Sequence, residues 1–166
     1  MNELRGIARS RSESDMRARL EVLPKEVQAL RRQLSAKGQL RSGNMLRGVL
    51  RIAQESLQSH ATVLNENYAW AVDESITASW VRGLAAEAAD SMLPLFRAGS
   101  EQLTAACQVA DQPQLASRLI ADLETTHLES RQSILVALEA QFASKSRGVL
   151  KWIGRLFRLL VGSAGK

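Results

Sequence analysis

The residues best suited to chemistry in this sequence are Glu124 and His127, three positions apart in Glu124-Thr-Thr-His127. On a helix this spacing points both side chains inward in di-iron carboxylate bundles. Such a site needs a second Glu-x-x-His pair and two further glutamates. The other histidine, His60, has no glutamate three positions before it. We therefore predict a polar helix face at Glu124 and His127, and no metal site.

Other arrangements that support catalysis are also incomplete. Cys107 lies among alanines, which is typical of a small core residue more than of a nucleophile. Asp73 and Glu74 are adjacent, and adjacent side chains on a helix point apart. The sequence has no phosphate-binding glycine loop, nucleophile elbow or Cys/His zinc spacing. We predict that the protein is not an enzyme and has no cofactor and no small-molecule substrate.

The composition indicates that helices position whatever site the chain has. Its 166 residues are 45% hydrophobic and only 4% aromatic, with few glycines and prolines. The sequence contains no run of about 18 uncharged apolar residues, so it predicts no membrane-spanning helix. Arginines interrupt the first residues too often for a secretory signal. Cys107, the single cysteine, is consistent with a reducing compartment. We expect a cytoplasmic or peripheral membrane protein.

The predicted fold is an all-α, elongated helical bundle. It has two long helices, a short connecting helix, and basic helical extensions at both ends. Pro24 is placed to begin a helix that runs to about Ala36 and is capped by Gly38. Residues 1–23 would then form a separate basic helix or arm, in which a polar run from Arg9 to Asp15 interrupts the apolar stripe.

The first long helix is predicted from about Asn44 to about Ser91, because apolar residues recur along it at an eleven-residue period. An unbroken helix of this length would span about 70 Å. That is long for this chain, so a break near 65–67 or at Gly83 is the alternative.

Three residues lie away from the main stripe of this helix and on nearly its opposite face. A helix that is apolar on two faces is contacted from two sides. It is either central in the bundle or shared with another subunit. The predicted interface in a homo-oligomer consists of Val63, Trp70 and Val81.

The second half of the chain is predicted to hold one short and one long helix. The short helix follows Pro94 and ends near Ala110. Asp111 has the residue type of an N-cap for the second long helix, which runs to about Ser144. Residues 145–148 are predicted to form a junction to a closing helix.

Charge is partitioned strongly along the chain. Residues 1–51 hold a net +7, residues 52–144 a net −8, and residues 145–166 a net +6. We divide the chain accordingly into a basic N-terminal helical arm (1–41), an acidic helical core (42–146), and a basic amphipathic C-terminal helix with its tail (147–166).

The closing helix has the clearest pattern. At about 100° per residue its four basic residues fall within roughly 80°, and its apolar residues fill roughly 200°. No acidic residue occurs from Lys145 to the end. A wide apolar face, a narrow basic face and a tryptophan are typical of a helix that lies in a membrane interface. The predicted membrane contacts are Lys151, Trp152, Ile153, Arg155, Leu156, Phe157, Arg158 and Leu160.

The leading hypothesis is a non-enzymatic helical assembly protein that oligomerises and binds an anionic membrane surface. A membrane-remodelling or membrane-permeabilising factor and a small virion protein both fit. Alternatively, the closing helix docks on its own bundle or on the acidic body of a neighbouring copy.

A second hypothesis is a helical scaffold associated with nucleic acid or a capsid. Basic residues of the N-terminal arm would then contact the acidic partner. They are Arg5, Arg9, Arg11, Arg17, Arg19, Arg31 and Arg32.

Overall fold

In the computed structural model, the backbone is described for residues 3–73 and 77–162, and the side chains for residues 3–72 and 77–145. Over these ranges the chain is all-α, as predicted, with five α-helices, one 3-10 helix and no strand. The helices are α1 (Glu3–Ala36), α2 (Gly43–Asp73), α3 (Ala78–Asp90), α4 (Leu93–Val109) and α5 (Ala116–Gly162), with the 3-10 turn at Pro113–Leu115.

Helix α2 is the centre of the described bundle, because it contacts each of the other four helices. It runs parallel to α5, since three hydrogen bonds between the stretch from Gln54 to Val72 of α2 and residues of α5 each join positions 72 or 73 apart. It runs antiparallel to α1, where the pairs Asp15–His60 and Ser12–Asn67 are ordered in opposite directions.

Helices α3 and α4 follow one another along the bundle, antiparallel to α5. Asp90 of α3 pairs with Arg131, and Phe96 of α4 stacks on His127, which lies earlier in α5. The described helices therefore alternate in direction as α1, α2, α3 with α4, and α5.

Pro24 does not begin a helix, contrary to the sequence prediction, but lies inside the continuous α1. Its missing N–H deprives one carbonyl, that of Leu20, of its helical partner. Leu23 and Val27 on either side are each only 1% exposed. Burial of these two side chains in the core offsets the cost of the proline. Pro24 itself is exposed.

The polar run near the start of α1 does not interrupt its buried face. Ala8, Ser12 and Met16 are all buried, so small residues take the place of large apolar ones. The Ser12 hydroxyl accepts a hydrogen bond from Asn67 Nδ2 at 3.2 Å. The first turns of α1 are consequently part of the core.

The single helix predicted from 44 to 91 is wrong, because α2 ends at Asp73 and α3 begins at Ala78. The break lies at neither of the two alternative positions, 65–67 and Gly83. Thr77 is the N-cap of α3, in extended conformation, and its Oγ1 accepts the N–H of Trp80. A threonine is a favoured cap. Apolar residues nevertheless continue at helical spacing across this stretch, so the sequence does not predict a helix start here.

Asp111 ends α4 and does not cap the next helix as predicted. It has a φ of 58°, and the N–H groups of Asp111 and Gln112 bond to the carbonyls of Gln108 and Cys107. This is a Schellman closure. Gly38, with a φ of 67°, closes α1 in the same way, which confirms the predicted cap there.

The predicted junction at 145–148 is also wrong, because the backbone of α5 stays helical through it to Gly162. The helix has 47 residues, and at 1.5 Å per residue it is about 70 Å long. No proline lies within residues 145–148, and the one glycine there, Gly148, costs only about 1 kcal/mol inside a helix.

Helices α2, α4 and α5 approach one another closely at Gly99. A Cβ at this position would lie 3.2 Å from Ala53 Cβ and 2.9 Å from Leu123 Cδ2. Ala53 Cβ is attached directly to the backbone of α2, so the helices themselves would have to separate to admit it.

Replacing Gly99 with Ala is expected to lower the free energy of unfolding by about 1 kcal/mol, because overpacking outweighs the gain in helix propensity. Gly83→Ala is the matched control, since Gly83 is exposed within α3 and a Cβ there meets nothing within 4 Å. That variant should gain about 0.5–1 kcal/mol. Urea denaturation measures both, and stabilisation by Gly99→Ala would contradict the close approach.

Candidate functional site

The predicted membrane contacts of residues 151–160 lie outside the residues whose side chains the structure describes. The structure does describe the helix that contains them, since α5 continues to Gly162. In the described part, the last hydrogen bond from α5 to α2 joins Lys145 Nζ to Val72 O at 3.4 Å. Helix α2 ends one residue later, at Asp73. Residues 146–162 thus extend the helix past the end of its central partner.

The three residues of the predicted oligomer interface have different surroundings. Val81 is 1% exposed and belongs to the chain's own core. Val63 is half-buried. Trp70 is 50% exposed, and the guanidinium carbon of Arg11 lies 4.6 Å from its ring centroid. Among the three, Trp70 is the side chain most available to a partner.

Several arginines of the predicted nucleic-acid arm have carboxylate partners within the chain. Arg5 Nε donates to Glu87 Oε2 at 3.0 Å, and Arg9 Nε lies 3.8 Å from Glu87 Oε1. Arg19 Nε donates to Asp15 Oδ2 at 2.6 Å. These contacts leave less free positive charge on α1 than the sequence suggests.

The remaining members of that set are held differently. Arg17 Nε donates to the backbone carbonyl of Glu13 at 3.4 Å, and Arg32 is exposed. Arg31 is half-buried, and its Nε and Nη2 are buried without a hydrogen-bond partner among the described residues. The arginines of this set therefore differ in burial and in partner.

Glu87 of α3 links three helices. It receives Arg5 and Arg9 from α1, and the hydroxyl of Tyr68 from α2 donates to its Oε1 at 3.3 Å. Burial and the nearby Glu87 carboxylate raise the pKa of Tyr68 to about 12. The phenol is therefore a neutral donor at physiological pH.

A groove of about 620 Å³ runs beside this cluster, between α1 and the junction of α3 with α4. Its size is within the range of small-molecule sites. Its polar side chains, however, are already paired: Ser12 with Asn67, Glu87 with the arginines, and Asp90 with Arg131. The groove offers no buried, unpartnered polar group that would define a ligand.

His60 is fully buried between α2 and α1. Its Nδ1 lies 2.6 Å from Asp15 Oδ2, and its Nε2 is buried without a hydrogen-bond partner among the described residues. Burial lowers the pKa of His60 despite the carboxylate. The Asp15 pKa is lowered by its hydrogen bonds from Arg19 and His60, which outweigh the opposing effect of burial. The pair is thus a neutral imidazole donating to an ionised carboxylate.

His127 is 5% exposed and stacks on Phe96, with ring centroids 4.8 Å apart. Its Nε2 is also buried without a partner in the described part, and burial lowers its pKa. Glu124, three residues earlier, is exposed. The two side chains therefore do not converge. The residues described contain no group of three or more His, Cys, Asp or Glu side chains placed to hold a metal ion.

Comparisons with known protein families, with curated proteins and with solved structures found no match for this chain. Among the described residues, no helix is both long enough and apolar enough to cross a membrane.

Acid is expected to destabilise the bundle through its two histidines. The pKa of each is lower in the folded chain than the ordinary value of 6.5. Below that pH the unfolded chain binds protons that the folded chain does not. The free energy of unfolding should therefore fall as the pH falls through and below 6.5.

Urea midpoints at pH 7.5 and 5.5 measure this effect, and the midpoint should be lower at pH 5.5. His127→Phe keeps an aromatic ring against Phe96 and removes one titrating group, so it should reduce the difference between the two midpoints. Equal midpoints for the unaltered chain at the two pH values would contradict the burial of neutral imidazoles.

Proposed function

We propose that this chain is a non-enzymatic helical assembly protein that binds anionic membrane surfaces through residues 147–161, the basic amphipathic part of α5. The continuity of α5 carries this proposal. Leu123, Ile134 and Leu138 are each at most 1% exposed and hold its first part in the bundle. Its last part continues as helix beyond the end of α2.

The charges of this last part favour a lipid surface. It contains Arg147, Lys151, Arg155 and Arg158 and no acidic residue. Each cation near anionic lipid contributes about 1 kcal/mol, so four contribute roughly 4 kcal/mol, which salt screens. Partial burial of large apolar side chains such as Trp152 adds several kcal/mol. Together these terms are enough for reversible binding.

Self-association would strengthen that binding, because linked copies bind a surface with avidity. The outer side of α5 has two large exposed apolar side chains two turns apart, Leu128 at 56% and Val136 at 54% exposure. Two side chains cover less area than a stable interface buries, so they would supply only part of a contact with a second copy. The assembly would fit a membrane-remodelling or membrane-permeabilising factor, or a small virion protein.

The contacts of α1 favour a membrane over nucleic acid as the acidic partner. Arg5, Arg9 and Arg19 are already paired with carboxylates of the chain. Nucleic acid would also account for the cations of α5 but not for its wide apolar face.

Flotation with vesicles in which one third of the lipid is phosphatidylserine tests the proposal. The unaltered chain should float at low salt and float less as salt rises. Trp152→Glu/Phe157→Glu should weaken binding at least tenfold, because it places two charges in the apolar face.

Ser117→Glu/Gln132→Glu is the control, since it adds the same charge at exposed positions of α5 within the bundle. It should bind nearly as well as the unaltered chain. Binding by the Trp152/Phe157 variant equal to that of this control would refute the proposal.

A further inference from the structure

Trp70 stands out among the large aromatic side chains described. It is 50% exposed, whereas Tyr68, two residues before it on α2, is 1% exposed. Trp80 and Phe96 are partly buried against the core. Tryptophan is highly buried on average in folded proteins, so its exposure here calls for a partner outside the described bundle.

Arg11 covers part of the Trp70 ring. The guanidinium carbon lies 4.6 Å from the ring centroid, which is within the range of a cation–π contact. Arg11 is exposed and has no ion-pair partner among the described residues. Among the described side chains, the pair therefore presents an apolar ring beside a cation without a carboxylate partner, the combination found where proteins meet the lipid headgroup level.

The surroundings of this pair fit a lipid surface better than a second copy. Ile7, one turn before Arg11 on α1, is 38% exposed, and Ser14 and Ala18 follow on the same side. The apolar part near Trp70 is thus limited to two large side chains, and the next exposed one on this side of α1 is Val22, about three turns after Arg11. A stable protein interface buries about 800 Å² on each partner, far more than they supply. An interfacial anchor needs only a few inserted side chains.

The position of Trp70 places it near the segment that continues beyond the bundle. Gln141 Nε2 of α5 donates to the carbonyl of Ala69 at 2.9 Å, and Lys145 Nζ donates to Val72 O. Trp70 lies between these two contacts in α2. It is therefore within about one turn of the level at which α5 passes the end of α2.

We infer that Trp70, Arg11 and Ile7 form a second contact with the anionic lipid surface that the last part of α5 binds. This inference rests on the proposed function. It adds that the bundle end itself touches the headgroup layer. Trp70 would insert at the boundary of headgroups and acyl chains while Arg11 pairs with a lipid phosphate.

Tryptophan fluorescence distinguishes this contact from the one made by α5. The chain has three tryptophans, and Trp80→Phe/Trp152→Phe leaves Trp70 alone. Vesicles in which one third of the lipid is phosphatidylserine and the acyl chains are brominated should shift the Trp70 emission to shorter wavelength and quench it. Trp70→Phe/Trp152→Phe leaves Trp80, which is half-buried in α3, and should show neither change.

A gain in binding provides a second test that does not depend on weakening the fold. Glu66 is exposed one turn before Trp70, and Glu66→Lys should tighten vesicle binding at least about fivefold by replacing an anion with a cation near the surface. Glu124→Lys is the matched control. It makes the same charge change on α5 near the level of Gln54, far from this end, and should change binding much less.

The outcomes separate the two proposals. Flotation of the unaltered chain with no change in Trp70 emission would overturn the second contact and leave the first intact. A failure to float at all would overturn both. A Trp70 emission that depends on protein concentration without vesicles would overturn the lipid contact, because it would assign this surface to a second copy.

Discussion

The described structure depends on the burial of α2 from several sides at once. Its close approach to α4 and α5, where Gly99 lies against Ala53 and Leu123, fixes the spacing of three helices. Helix α1 then covers the side of α2 that remains. A helix contacted by four others must be apolar over a wide part of its surface. Val81, predicted on the second face of one long helix, lies instead in α3 and belongs to the chain's own core.

Buried polar pairs fix how the helices align along their length. His60 with Asp15 and Asn67 with Ser12 join α2 to α1, and Gln54 with Thr126 joins it to α5. Side-chain hydrogen bonds of this kind specify register, because a slip of one turn would leave their buried groups unpaired. The His60–Asp15 pair also makes the core sensitive to acid, because the buried Nε2 of His60 has no acceptor among the described residues for a second proton.

Helix type and the strongest caps could be predicted from the sequence, because they depend on local composition. Gly38 and the helix start at Pro94 are such cases. Pro24 and Asp111 depart from the sequence prediction, and the Thr77 cap has no counterpart in it, because tertiary contacts decide how these residues are used. The buried Ser12 illustrates a further reason, since a small polar residue in the core is invisible to a search for large apolar ones. The Trp70–Arg11 pair joins two helices, and no spacing within one helix reveals it.

In the proposed function, the bundle supports a surface-binding segment at the end of α5. Hydrogen–deuterium exchange with and without phosphatidylserine vesicles tests this account most directly, because it follows every part of α5 in one experiment. The account predicts that vesicles increase protection in residues 147–161, while core peptides of α2 keep the protection they already have. Unchanged exchange in residues 147–161 on adding vesicles would contradict it.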